Sequence, residues 1–266
     1  MSKDARWAAL LDLLAEKGRL EVEEAASDLN VSTATIRRDL DQLAEQRMLN
    51  RTRGGAVAHG VSYELPLRYK TSRHAPEKQR IAQAAAALVE VGEVVGLTGG
   101  TTTTEVARAL VLRGDMAVDA TGGIGRQPTL TVVTNALNIA NELAVRPQIK
   151  TVVTGGVARP LSYELTGALA SGVLREITLD VTVLGIGAID AEEGAFAHHE
   201  DEASINRLLA ERAQRVIVAA DSSKIGKRAF AKICDISTVG TLVTDQDIPP
   251  GAAARFEDAG VEVVIV

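Results

Sequence analysis

Arg37 and Arg38 stand side by side, Arg51 and Arg53 stand two apart, and Ser32, Thr33 and Thr35 lie just ahead of the first pair. A guanidinium is a planar fork of donors that suits phosphate oxygens or the edge of guanine, and hydroxyls add single hydrogen bonds. A second polar set comes later: Thr98-Gly99-Gly100-Thr101-Thr102-Thr103, Thr134-Asn135, Gly155-Gly156, Gly185, Gly187, Asp221 and Lys224. Backbone amides at a glycine turn, hydroxyl donors and a nearby lysine are the chemistry of an anion site of phosphate size. The bland readings stay open for each group. Adjacent arginines can solvate a helix face or an edge strand, threonines can cap a tight turn, and Lys224 can be an ordinary surface lysine.

The first set needs elements to aim it. Trp7, Leu10, Leu11 and Leu14 recur at helical spacing, and Gly18 ends that pattern at a C-cap position. Val22, Ala25, Ala26 and Leu29 share the face of a second helix, Asn30-Val31 makes a turn, and Ser32 is placed to cap a third. There Ile36, Leu40 and Leu43 form the apolar stripe, so at about 100° per residue Arg37 and Arg38 point away from it. Residues 48–57 alternate and then break at Gly54-Gly55, as a strand entering a hairpin tip would. In that strand Arg51 and Arg53 would share one face, toward a phosphate backbone or a minor groove. Helix, helix, turn, helix, hairpin is the order of a winged helix-turn-helix, whose last helix enters the major groove of duplex DNA. A net charge of -6 argues against a general polyanion binder, so the basic excess has to be local. The window from Arg37 to Arg53 holds Arg37, Arg38, Arg47, Arg51 and Arg53 against Asp39, Asp41 and Glu45, and it supplies that excess.

The second set needs a different scaffold. Residues 59–76 carry Gly60, Pro66 and Pro76 without a sustained period and read as a linker between a DNA-binding domain, 1–58, and a domain at 77–266. Beyond the linker, valine-rich runs such as 94–97, 130–134, 149–154, 181–184, 216–220, 239–243 and 261–266 alternate with helical stretches. That pattern predicts a parallel sheet covered on both faces, which binds ligands at the carboxyl ends of its strands. The glycine-rich 121–125 resembles an inserted loop. The fold class is α/β, with a small helical domain ahead of a larger layered one. A length of 266 residues accommodates both, since a typical domain takes roughly 100 to 200.

Other classes are excluded on composition. No run approaches the roughly 18 apolar residues of a membrane span, and the start carries Asp4 and no small-residue cleavage site, so the expectation is a cytoplasmic protein with no membrane contact. One cysteine, Cys234, leaves no internal disulfide or multi-cysteine metal cage, and it reads as a core residue. His198-His199-Glu200-Asp201-Glu202 reads as a loop with an acidic helix start, because adjacent histidines do not easily ligate one ion. No Ser-His-Asp order or carboxylate pair stands out, so no catalytic residue, metal ligand or cofactor is assigned.

Val31-Ser32-Thr33-Ala34-Thr35-Ile36-Arg37-Arg38-Asp39-Leu40 and Arg51-Thr52-Arg53-Gly54-Gly55-Ala56 closely resemble the amino-terminal signature of DeoR-family bacterial transcriptional regulators. The resemblance continues through Lys78-Gln79-Arg80-Ile81-Ala82, Gly100-Thr101-Thr102, Val132-Val133-Thr134-Asn135, Gly155-Gly156 and Ala220-Asp221-Ser222-Ser223-Lys224. It implies a winged helix joined to a sensor and oligomerisation domain similar to ribose-5-phosphate isomerase. It also implies a homo-oligomer, a dimer or tetramer, that represses sugar-metabolism genes from double-stranded operator DNA and is released by a phosphorylated sugar. Two departures stand out. Family loops commonly read Asp-Ser-Gly-Thr-Thr, so Thr98 and Gly99 leave out a carboxylate expected to contact sugar hydroxyls, and 115–128 exceeds the usual connection. The competing expectations are an enzyme of the related isomerase or deaminase kind, with Lys224 or Asp190 as acid or base, and a DNA-binding protein whose second domain only oligomerises. A DNA reader fused to the larger domain favours regulation over metabolism.

Overall fold

The computed structural model describes residues 1–46, 48–57, 67–71, 73–116 and 128–266; Arg47, the inserted-loop reading at 121–125 and most of the long connection at 115–128 lie outside them. The chain divides into two compact units, Met1–Arg73 and His74–Val266.

In the first unit, α1 (Lys3–Lys17), α2 (Val22–Asp28) and α3 (Thr33–Glu45) pack around Leu10, Leu11, Leu14, Ile36, Leu40 and Leu43, all fully buried. The stops are local. Gly18 takes a left-handed φ of 72° that a side chain would strain, and Ser32 caps α3 by accepting from the Thr35 N–H at 3.2 Å. β1 (Arg19–Glu21), β2 (Asn50–Arg51) and β3 (Gly55–Val57) form an antiparallel sheet in the order β1-β3-β2, which is the wing. Gly55 permits it, since a Cβ there would stand 1.7 Å from the Leu20 carbonyl oxygen. A short helix, α4 (Leu67–Lys70), places Tyr69 in this same core. Four of its residues therefore belong structurally to the first unit, although they fall in the segment read as a linker.

The second unit starts with α5 (Ala75–Ala87). Pro76, read as a linker residue, sits in the first turn of that helix, where its missing N–H costs nothing. The main sheet uses β4 (Val94–Leu97), β5 (Leu130–Thr134), β6 (Ile149–Val153), and further strands reached through α6 (Thr101–Leu112), α7 (Leu137–Leu143), a small hairpin of β7 (Val157–Ala158) and β8 (Leu165–Thr166), and α8 (Ala168–Arg175). Those further strands are β9 (Leu179–Leu184), then, after the antiparallel β10 (Ala188–Asp190) and β11 (Gly194–Ala197) and helix α9 (Glu200–Glu211), β12 (Ala213–Ala219). β13 (Ala231–Cys234) joins β10 and β11 in a side sheet, and β14 (Thr241–Thr244), α10 (Ala252–Asp258) and β15 (Glu262–Ile265) complete the chain.

Among the described residues the main sheet is seven-stranded and wholly parallel, in the order β15-β14-β12-β9-β4-β5-β6. The valine-rich expectation of a buried parallel sheet is met. Its central strands carry Val95, Leu97, Val132, Val181 and Val183 in one core. Among the described residues, no helix is long and apolar enough to cross a membrane.

Candidate functional sites

The DNA-facing candidates sort themselves by what their side chains already hold. Arg37 and Arg38 are exposed on α3, as the helical period requires, and Arg37 lies 3.7 Å from Glu23, a loose surface pairing. Thr33 is exposed at the first turn, while the Ser32 and Thr35 hydroxyls bond each other at 2.9 Å in the cap. The hairpin differs from its expected form. The strand ends at Arg51 and Arg53 falls in the bend that follows, so the two do not project as alternate members of one strand. Arg51 turns back, pairing with Asp41 at 2.7 Å and donating to the Gly55 carbonyl, which orders the wing. Two acidic residues of the basic window are thereby accounted for. Asp41 is paired with Arg51, and Asp39 is buried against Arg6 and Trp7, which leaves exposed Glu45 against Arg37, Arg38 and Arg53.

The second candidate lies at the carboxyl ends of the parallel strands. β5 and β6 succeed β4 on one side of it, whereas β9 and β12 lie on the other, so the strand order reverses at β4 and opens a crevice there. The loops leaving β4 and β9 meet in that crevice. A Cβ on Gly185 would come within 2.8 Å of the Gly99 carbonyl oxygen, and Thr98 Oγ1 accepts from the Gly185 N–H at 2.8 Å. Gly100 has φ 134°, and from it α6 begins without a side-chain cap. The first-turn amides of Thr101, Thr102 and Thr103 have no intrahelical acceptor, and they carry the positive end of a 12-residue helix.

Several predicted residues frame this site. Thr98 and Thr134 are fully buried, and Thr134 Oγ1 donates to the Leu97 carbonyl at 2.7 Å while accepting from Ala136 at 3.0 Å. Both hydroxyls lock neighbouring strand ends together. Gly155 and Gly156 turn with φ 72° and 120° beside β8, and Gly187 gives room to His198. Asp221 spends an oxygen on the turn after β12, accepting from the Ser223 N–H at 3.2 Å. Burial would raise its pKa, but the Ser223 hydrogen bonds and the charges of Lys224, Lys78 and His74 hold the carboxyl below its usual range. Two lysines belong to this end of the sheet: Lys224, half-buried on the turn after β12, and Lys78, 5% exposed on α5, which packs against β12.

Lys78 and Glu164 are the functional candidates that sequence reasoning passed over. Lys78 was visible only as part of a motif string. Glu164 precedes β8, is 4% exposed, and seats its carboxylate over Gly99, where an added Cβ would come within 2.3 Å of it. Asn135 Nδ2 donates to that carboxylate at 3.3 Å. The loop after β4 has no acid of its own, yet another element brings one to it.

Other features carry less. His199 caps α9 by accepting from Asp201, and among the described residues no group of three His, Cys, Asp or Glu is placed to hold a metal ion. A groove of about 560 Å3 between α5 and α6 has its charged rim tied up, Arg108 with Glu105 and Glu142, Arg113 with Asp115. Cys234 is held in the side sheet, where burial pushes its thiol up to about 11. Alkylation by iodoacetamide at pH 8 is accordingly expected to run about a hundredfold slower in the folded protein than after denaturation, and equal rates would show an open thiolate instead.

A wing and an exposed arginine-bearing helix in one unit, with a parallel sheet and its switch point in the other, are the parts of a DNA-binding regulator with a second, α/β domain. The family comparisons agree along the chain: the DeoR-like helix-turn-helix domain matches residues 6–60 and the DeoR C terminal sensor domain matches 73–246. The chain belongs to the DeoR family of transcriptional regulators. It is 32% identical to the HTH-type transcriptional regulator GlpR of Haloferax volcanii over 97% of this chain and 96% of that one. It is 30% identical to the glycerol-3-phosphate regulon repressor of Escherichia coli (strain K12) over 99% of both. Among solved structures, ribose 5-phosphate isomerase A from Methanocaldococcus jannaschii aligns with 57% of this chain and 55% of its own, at 20% identity and a TM-score of 0.39.

Proposed function

We propose that this regulator is a cytoplasmic repressor of carbohydrate-metabolism genes, which holds an operator through α3 and the wing and leaves it when a phosphorylated sugar binds the second unit. Residues 1–58 read DNA in this account, and 77–266 sense the effector and hold the oligomer together. The observation that carries the effector reading is the uncapped start of α6 at the switch point, with Lys78 and Lys224 acting on Asp221 at the end of β12, two strands away. Oriented amides, a helix dipole and two cations favour a dianionic phosphate over a neutral sugar. That relatives are named as repressors, one of them of a glycerol-3-phosphate regulon, supports the same reading. The groups converge on binding rather than on a proton-transfer pair, and Asp190 spends an oxygen on the Glu192 and Glu193 amides, so turnover is not part of this proposal.

DNA recognition is tested on an operator selected from random duplexes with the wild-type protein. Arg38→Ala, if Arg38 reaches a base edge, is expected to cost about 1 to 3 kcal/mol there and to relax specificity. The Arg37→Ala, Arg38→Ala double variant should lose most specific binding; an unchanged affinity sinks the assignment of α3. One winged helix covers only a half-site, so a homodimer or homotetramer is expected on repeated half-sites. Light scattering that finds a monomer at micromolar concentration, with and without DNA, rejects this.

A further inference from the structure

The strand-end crevice is charged differently at its two ends. Lys224 lies beyond β12 and Lys78 acts on the same Asp221, whereas the Glu164 carboxylate sits over Gly99 beside β4 and β5. Neighbouring parallel strands lie about 4.8 Å apart, so the end of β12 and the ends of β4 and β5, two and three spacings away in the order β12-β9-β4-β5, are separated by about 10 to 14 Å. Lysine side chains reach across part of that span, which leaves the length of a sugar phosphate.

The hydrogen bonding at the acidic end specifies what it can accept. A carboxylate only accepts, so Asn135 must turn its amide nitrogen to Glu164, as it does at 3.3 Å. Its Oδ1 is then left beside the carboxylate. Asn135 is fully buried, and Oδ1 has no hydrogen-bond partner among the described residues. That Oδ1 is a buried acceptor, and it needs a donor to satisfy it. The mounting is also specific. Tyr163 takes a left-handed φ of 61°, costly for an aromatic residue, while its N–H and carbonyl are fixed to Arg159 and Leu137. Arg159 is in turn anchored to Glu202 on α9 at 3.0 Å. Gly99 completes the cradle, because any side chain there would displace the carboxylate.

We infer that Glu164, with Asn135, is the specificity-determining end of the effector site, reading hydrogen-bond donors on the carbon chain of the ligand away from its phosphate. The inference rests on the phosphorylated-effector reading above. Glu164 thereby supplies from β8 the carboxylate that the loop after β4 lacks. The donors are hydroxyl or ammonium groups.

The test titrates full-length wild type, Glu164→Gln and Gly99→Ala by calorimetry with inorganic phosphate, ribose 5-phosphate, glucosamine 6-phosphate and free ribose. Glutamine keeps the size but turns a donor toward the ligand, and alanine pushes the acid aside. Both variants are expected to lose ten- to a hundredfold for the sugar phosphates, and Glu164→Gln, which leaves the loop before α6 untouched, to keep phosphate affinity within twofold. A loss shared by the two sugar phosphates assigns hydroxyl reading, and a loss confined to the amino sugar assigns ammonium reading. In Glu164→Gln, equal losses for phosphate and sugar phosphates would make Glu164 merely structural, and unchanged affinities would remove it from the site. Wild type that ignores phosphate yet binds free ribose through Glu164 would overturn the phosphate reading and leave this one standing. Binding of no probe would overturn both.

Discussion

Replacing Asp39 by alanine is expected to destabilise the first unit by about 3 to 5 kcal/mol, the usual cost of removing one partner from a buried ion pair. Asp39 is 3% exposed and accepts from Arg6 Nε, from Arg6 Nη2 at 3.1 Å and from Trp7 Nε1 at 3.0 Å, so it fastens α1 to α3. Without it, the buried indole N–H loses its acceptor and the part-buried guanidinium loses its partner. A domain of this size commonly has about 5 to 15 kcal/mol in total, so the loss takes a large share. Trp7 is the chain's single tryptophan, and its fluorescence therefore follows this unit in the intact protein. A denaturation midpoint unmoved in Asp39→Ala would show that the pair is idle. The pH dependence has a definite sign. Burial alone would raise the Asp39 carboxyl, but the hydrogen bonds from Arg6 and Trp7 and the Arg6 charge outweigh it and hold the pKa below its usual value. A pKa depressed on folding contributes stability that is complete above the unfolded value of about 3.9 and is lost as pH falls through the folded one. The first unit of wild type should weaken below about pH 4, and Asp39→Ala should show less of that decline.

Asp39 also marks the boundary of what local reading reaches. Ile36, Leu40 and Leu43 announce their face through spacing, and Ser32 and Gly18 mark helix ends through their own backbone preferences. The valine-rich strands of the parallel sheet are legible for the same reason, since burial on both faces leaves an unbroken apolar run. Partnerships across 30 or more residues leave no such trace. Asp39 counted as a negative charge on the DNA-facing window, yet it sits on the apolar stripe three residues after Ile36, a place a carboxylate occupies only with a partner. Arg51 reads as a phosphate contact from sequence, and its pairing with Asp41 beside the two-residue β2 is a feature that the sequence pattern does not announce. In the second unit the strand-end glycines were visible, but the acid that lies against Gly99 arrives from 65 positions away. The strands of the side sheet escaped because three or four residues hold too few alternations to declare a period.

Gly100→Ala and Lys224→Ala are each expected to lower the affinity for a phosphorylated sugar by one to two powers of ten while leaving operator binding intact. At Gly100 the cause is conformational: φ 134° is closed to an L side chain, and a Cβ would also stand 3.2 Å from Thr103 Oγ1. Relief of that strain re-aims the first-turn amides of α6 away from the anion. At Lys224 the cause is electrostatic, because a charge-assisted hydrogen bond contributes about 1.5 to 3 kcal/mol, or roughly 10- to 150-fold in affinity. Neither residue belongs to the DNA-reading unit, so the two changes should affect DNA only through the effector. Linkage then demands reciprocity. If effector binding weakens the operator complex by a given factor, operator DNA must weaken effector binding by the same factor, in wild type and in each variant. Calorimetry with sugar phosphates, their dephosphorylated counterparts and operator DNA in one matrix measures every side of that cycle. Equal affinity for phosphorylated and free sugars would remove the anion site from α6, and steady conversion of the sugar phosphate on long incubation would turn the crevice from a sensor into an active site.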